Sequence, residues 1–269
     1  MNPFSPDPLL VRLITPREHA AAMELVRRVR RGVPAELWRA LLFGSRARGE
    51  GRPDSDLDVL LVFHALPRDR EPQAGIAEWI AEEVAEESGV PVTVWSVSRV
   101  DLERGRRTPM LVDALDDGIP LWPAGAPPLR VDFTPDDALF CTGQLLDRVE
   151  EGSAEVEDAV ASGAYGAAAR RARDDLVRLC TAALLLEGVT RPRTAECVAC
   201  FVGRHGPPRA LVPVLRWAAD SFGADGKDRA GPIAPPPGGL GAAAHAVEAL
   251  RERVGGLRRA LAEALGEAD

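Results

Sequence analysis

Two short apolar runs frame a polar, breaker-rich loop in residues 41–63, LLFGSRARGEGRPDSDLDVLLVF. The runs Leu37–Phe43 and Leu57–Phe63 are bounded by Gly, Pro, Ser and Asp and read as two strands. Gly44-Ser45 breaks the first. Asp56 and Asp58 lie at the start of the second, where the period of two sets both carboxylates on one face, about 6–7 Å apart along the chain. Glycine lets the backbone approach an anion closely, and the Ser45 hydroxyl beside backbone N–H groups favours a phosphate. Two carboxylates this close repel unless a cation lies between them. Such a pair can share one divalent ion or bracket two ions about 3.5–4 Å apart. Hard carboxylate oxygens suit Mg²⁺, which commonly combines one or two of them with substrate phosphates. Taken alone, Ser55 and Asp54 also fit ordinary turn capping.

Around this stretch, strands alternate with helices. Thr15-Pro16-Arg17-Glu18 supplies an N-cap hydroxyl, a proline at the first helical position and a capping-box glutamate, so a helix runs to about residue 31. A helix over residues 74–87 turns Trp79, Ile80 and Val84 inward, 90–97 is a third strand, and 108–116 a further helix. Residues 117–122 close the unit. The order predicts an α/β domain over residues 1–122, a small mixed sheet with flanking helices. The run PAGAPP places a linker at 123–130. The remainder, 131–269, reads as an all-α helical bundle. Its helices start at Thr134 and reach about 150, then span 163–187, 194–204, 208–222 and 240–265. On the longest, Leu176, Leu179, Cys180, Ala183 and Leu184 share one face, with Gly188 as the stop. The stretch GADGKDRAGPIAPPPGG, 223–239, is too rich in breakers for a regular element.

Composition removes several classes. A net charge of −8 argues against broad nucleic-acid binding, which needs basic groups facing phosphates. The one lysine, Lys227, leaves no Walker-type G-K-[ST] sequence. The four cysteines make no disulfide framework, and Cys197 and Cys200, on successive helical turns, lack the second pair of a zinc site. The apolar runs are too short to span a membrane, and a cytoplasmic setting is expected. His19, His64, His205 and His245 have no ligand spacing; the five tryptophans are expected in the core or at a domain interface.

With Gly44-Ser45, Arg46-Ala47-Arg48-Gly49 and Ser55-Asp56-Leu57-Asp58 in this order, residues 15–122 resemble the DNA polymerase β-like nucleotidyltransferase superfamily, in particular its minimal nucleotidyltransferase branch. The resemblance implies that Gly44, Ser45, Arg46 and Ser55 contact a nucleoside triphosphate and that Asp56 and Asp58 ligate Mg²⁺ and are catalytic. It implies ATP or another NTP as co-substrate and transfer of AMP, or another nucleoside monophosphate, to a hydroxyl acceptor. The family's third carboxylate, from a later strand, is here Thr93. Another acid (Asp54, Asp101 or a helical-domain glutamate) would then serve, or the protein is a nucleotide-binding regulatory or antitoxin-like relative with degenerate catalysis.

The helical half resembles the HEPN nucleotide-binding bundle through Tyr165, Leu185, Leu186 and Gly188, and more loosely the C-terminal bundle of aminoglycoside adenylyltransferases. After Arg191 and Arg193 no histidine follows until His205, so the spacing of a ribonuclease motif is missing. The acidic run from Asp147 to Glu157 would suit a cationic acceptor or is solvated helix surface. The resemblance thus implies an aminoglycoside-like molecule or a protein side chain as acceptor and is compatible with a homodimer; the short apolar runs imply no membrane partner.

Overall fold

In a computed structural model, residues 8–52, 55–65, 71–190, 194–222 and 233–266 are described. The chain divides into two units, residues 1–132 and 133–269. Asp54, Arg191, Arg193 and Lys227 lie outside the described residues.

The first unit runs α1 (Pro8–Leu13), α2 (Pro16–Gly32), β1 (Leu37–Phe43), α3 (Gly44–Ala47), β2 (Leu57–Phe63), α4 (Glu71–Ser88), β3 (Val92–Ser98), α5 (Arg99–Arg104), α6 (Pro109–Asp116) and β4 (Ile119–Trp122). α2 begins with the expected capping box: Glu18 N donates to Thr15 Oγ1 at 3.2 Å and Thr15 N to Glu18 Oε2 at 2.7 Å. The sheet order is β3-β2-β1-β4. β1 pairs antiparallel with β2 and β4, and β2 pairs parallel with β3. The sheet is therefore mixed, with helices around it.

β2 is central and buried on both faces, which accounts for its unbroken apolar run. Val59, Leu61 and Phe63 pack with Leu25 and Val29 of α2 and Ile80 and Val84 of α4. Leu60 and Val62 face the other way, toward Leu102 of α5 and Leu111 and Leu115 of α6. By strand alternation, Asp56 and Asp58 belong to the face of Leu60 and Val62. The register carries Phe43 opposite Asp58 and, on the other side, Thr93 opposite Asp58.

One feature departs from the expectation, and two add to it. Trp79 is 57% exposed, because Ala77, Ile80, Ala81 and Val84 form the buried stripe of α4 and residue 79 lies to its side. Trp95 is also exposed. The closing segment 119–122 is a strand that joins the sheet beside β1.

The second unit consists of α7 (Pro135–Ala161), α8 (Tyr165–Leu186), α9 (Thr194–His205), α10 (Val212–Asp220) and α11 (Gly239–Leu265). The buried face of α8 includes Leu176, Leu179, Cys180, Ala183 and Leu184 as expected, packed with Cys197, Phe201, Leu215, Ala246 and Leu250. α7 passes the expected end at 150 and runs on to Ala161, with Gly152 admitting a neighbour on its way. A Cβ on Gly152 would lie 2.6 Å from Cζ of Arg171, whose Nη2 donates to the Arg148 carbonyl at 2.5 Å. α10 starts later than residue 208, after the turn that follows Pro207-Pro208. All four cysteines are free, and burial pushes the Cys197 thiol up to about 11. They act as small apolar groups, and among the described residues no cluster of three or more His, Cys, Asp or Glu could hold a metal. Among the described residues no helix is long and apolar enough to cross a membrane.

Candidate functional site

β1 ends in Phe43, and Gly44 turns the chain at φ +74° into the single turn of α3. A residue with a side chain resists this left-handed conformation, and here space forbids one as well. A Cβ on Gly44 would overlap Asp58 Oδ2 and lie 3.0 Å from its Cγ. The Asp58 carboxylate is thus laid directly against the Gly44 backbone, where the strand pairing of Phe43 with Asp58 puts it. Ser45 is half-buried beside it, its carbonyl accepting from Glu50 N at 2.8 Å.

Asp56 is half-buried and its Oδ2 accepts from Thr93 Oγ1 at 2.8 Å. Thr93 stands on β3 in register with Asp58, so three side chains from two parallel strands gather at one end of the sheet. This donor set fits a hard divalent cation: two carboxylates, supported by a hydroxyl, beside a glycine cleared of side chain.

The loop between β1 and β2 is held by its own contacts. Ser55 Oγ accepts from Arg52 N at 2.9 Å, and Ser55 N donates to the Arg52 carbonyl at 3.0 Å, so this hydroxyl closes a turn. Arg46 forms an ion pair with Glu18, Nη2 to Oε1 at 2.7 Å, and donates to the Ser55 carbonyl at 3.2 Å. A Cβ on Gly51 would lie 2.9 Å from Arg46 Nε, so the guanidinium crosses over a glycine that leaves it room. Arg46 Nε is buried with no acceptor among the described residues.

Glu18 is the brace of this loop that sequence reasoning missed. The capping-box pattern explains it completely as a local signal, yet only its Oε2 caps the helix; Oε1 reaches Arg46, distant in sequence. Asp101, entertained as a substitute acid, is placed elsewhere. It starts α5, accepting from Ser98 Oγ at 2.6 Å, past the far end of β3. Thr93 and Ser98 are five strand steps apart, about 16 Å.

Residues 23–117 match the family model described as nucleotidyltransferase domain. The match takes in Gly44, Ser45, Asp56, Asp58 and Thr93. One solved structure, "Crystal structure of the toxin-antitoxin with AMP-PNP", is 20% identical, covering 51% of this chain and 98% of that chain at a TM-score of 0.28. No curated protein matches the chain. Within the matched residues, the acids, the glycine turn and the hydroxyl of Thr93 occupy one end of the sheet.

In the helical unit, the residues behind the HEPN resemblance fall at the ends of α8: Tyr165 opens the helix, 62% exposed, and Gly188 follows it at φ +76°. His205 closes α9, buried against Phe201 with 4.7 Å between ring centroids, and burial lowers its pKa. In the acidic run of α7, Asp147, Glu150, Glu151, Glu155 and Glu157 are exposed, and Glu155 pairs with Arg171 at 2.9 Å.

Proposed function

We propose that the nucleotidyltransferase domain binds a nucleoside triphosphate with Mg²⁺ and transfers the nucleoside monophosphate to a hydroxyl acceptor. ATP is the first co-substrate to test. The observation that carries this reading is the laying of the Asp58 carboxylate against Gly44, with Asp56 beside it on the same strand face. That arrangement brings a metal-binding acid beside a glycine turn whose own backbone carries no side chain to hinder a phosphate.

The acceptor oxygen would form a bond to the α-phosphorus as the bond to the bridging α–β oxygen breaks. Pyrophosphate leaves with that electron pair, and the hydroxyl proton passes to a base. Asp56 and Asp58 would hold Mg²⁺, which when bound neutralises charge on the phosphate oxygens. Gly44 and Ser45 would admit the phosphates. Ser55 and Arg46, whose contacts close the loop and tie it to α2, would act by positioning Asp56. The acceptor is read as an aminoglycoside-like molecule or a protein hydroxyl. The helical unit is read as HEPN-like without ribonuclease activity, because His205 is buried beside Phe201.

Thr93 favours a second reading, a nucleotide-binding regulatory or antitoxin-like protein that retains the site without turnover, because a hydroxyl supplies neither a metal-binding charge nor a general base. Titration calorimetry with Mg²⁺ and a nonhydrolysable ATP analogue tests the site. Asp56→Asn should abolish the metal-dependent binding of the parent, and unchanged binding would reject the assignment. Labelled ATP with a panel of hydroxyl acceptors separates the readings: an enzyme releases pyrophosphate in proportion to acceptor, and a regulator releases none.

A further inference from the structure

We propose that Thr93 makes this a site for one divalent ion, by engaging Asp56 as a hydrogen-bond donor in a place where a ligand for a second ion would have to stand. The inference rests on the nucleotide-site reading above and concerns the residues that shape it.

Two observations carry it. Thr93 Oγ1 donates to Asp56 Oδ2 at 2.8 Å, which takes up one lone-pair site of that oxygen and fixes the orientation of the carboxylate. Thr93 is also the register partner of Asp58, so the position on β3 nearest both acids presents a neutral hydroxyl. Two divalent ions about 3.5–4 Å apart need oxygens that bracket both, and negative charge that offsets their mutual repulsion. Asp58 and the unengaged oxygen of Asp56 supply acid ligands for a single ion. The donated hydrogen bond turns Asp56 Oδ2 toward β3 and away from service as a bridge. Thr93 is therefore a positioning residue for Asp56 and sets the charge of the pair at two.

The test counts ions directly. Mn²⁺ is titrated into the full chain saturated with a nonhydrolysable ATP analogue, and free Mn²⁺ is followed by electron paramagnetic resonance. The expected result is one bound Mn²⁺ per chain in the parent and in Thr93→Ser, and two in Thr93→Asp. Thr93→Val, which keeps the shape and removes the donor, should weaken the single Mn²⁺ by about 10–100-fold, with Thr93→Ser restoring it to within a few-fold. Circular dichroism establishes that each variant is folded; if Thr93→Asp is not, the Val and Ser pair decides. Two ions of similar affinity in the parent would overturn the inference alone, as would a folded Thr93→Asp that still holds one, or a Thr93→Val indistinguishable from the parent. A parent that binds neither Mn²⁺ nor analogue would overturn the nucleotide-site reading itself.

Discussion

Arg46 and Glu18 form an ion pair at 2.7 Å with side chains only 11% and 9% exposed, joining the loop that precedes Asp56 to the first turn of α2. Glu18 caps that helix with one oxygen and holds Arg46 with the other, and Arg46 passes the constraint to the Ser55 carbonyl. Removing one member leaves a buried, uncompensated charge, which costs about 3–5 kcal/mol. Arg46→Met should therefore destabilise the domain by about that amount in urea unfolding. The double variant Glu18→Gln, Arg46→Met should recover part of the loss. Strict additivity of the two changes would show that the pair is not coupled.

Gly44 carries both a backbone and a space requirement. Gly44→Ala should destabilise the domain by more than the roughly 1 kcal/mol of a left-handed non-glycine residue, because its Cβ would also displace the Asp58 carboxylate. Gly163, at φ +76° with nothing within 4 Å of its Cβ position, isolates the backbone cost. The comparison is made by thermal unfolding of the two alanine variants. Equal losses would show that Asp58 moves aside freely. Only Gly44→Ala should also lose binding of a Mg²⁺–nucleotide analogue.

Gly152 plays a similar part between α7 and α8. Alanine would raise helix propensity by about 1 kcal/mol at an exposed position. Here it displaces the Arg171 guanidinium, which lies 3.3 Å from the buried Asp175 carboxylate and pairs with Glu155 at 2.9 Å. Arg178 also holds Asp175, at 2.7 Å, so the carboxylate keeps one cation. Gly152→Ala should thus be net destabilising by about 1–2 kcal/mol, the lost pairing of Asp175 outweighing propensity. A stabilised variant in chemical unfolding would sink this account.

His205 gives the helical unit a pH dependence. Burial lowers its pKa from the ordinary 6.5, outweighing the pull of Glu187 in the other direction. The unfolded chain therefore takes up a proton more readily than the folded one. Stability from this group is complete above pH 6.5 and is lost as pH falls through the lower folded pKa. Unfolding of the full chain at pH 7.5 and 5.5, about one unit either side of the ordinary histidine value, should show the decline, and His205→Gln should flatten it. An equal slope in the variant would remove His205 as the cause.

The strands β1 and β2, the capping box at Thr15, the mixed sheet with flanking helices and the buried stripe of α8 were legible in sequence because each depends on local period or on a short-range hydrogen bond. Gly44, Asp56 and Asp58 could be singled out for the same reason: strand alternation puts both acids on one face without reference to anything distant. What distant pairing alone decided was which partners those residues meet. The parallel register of β3 on β2 delivers Thr93 to Asp56 from 37 residues away, the antiparallel register of β1 sets Gly44 under Asp58, and the meeting of α2 with the loop turns Glu18 from a helix cap into a brace for Arg46. The exposed Trp79 belongs to the same lesson, since the helical period marks a stripe but only the sheet chooses which part of it is covered. Local geometry follows from the order of residues; contacts between distant segments depend on register and packing, which no short stretch of chain contains.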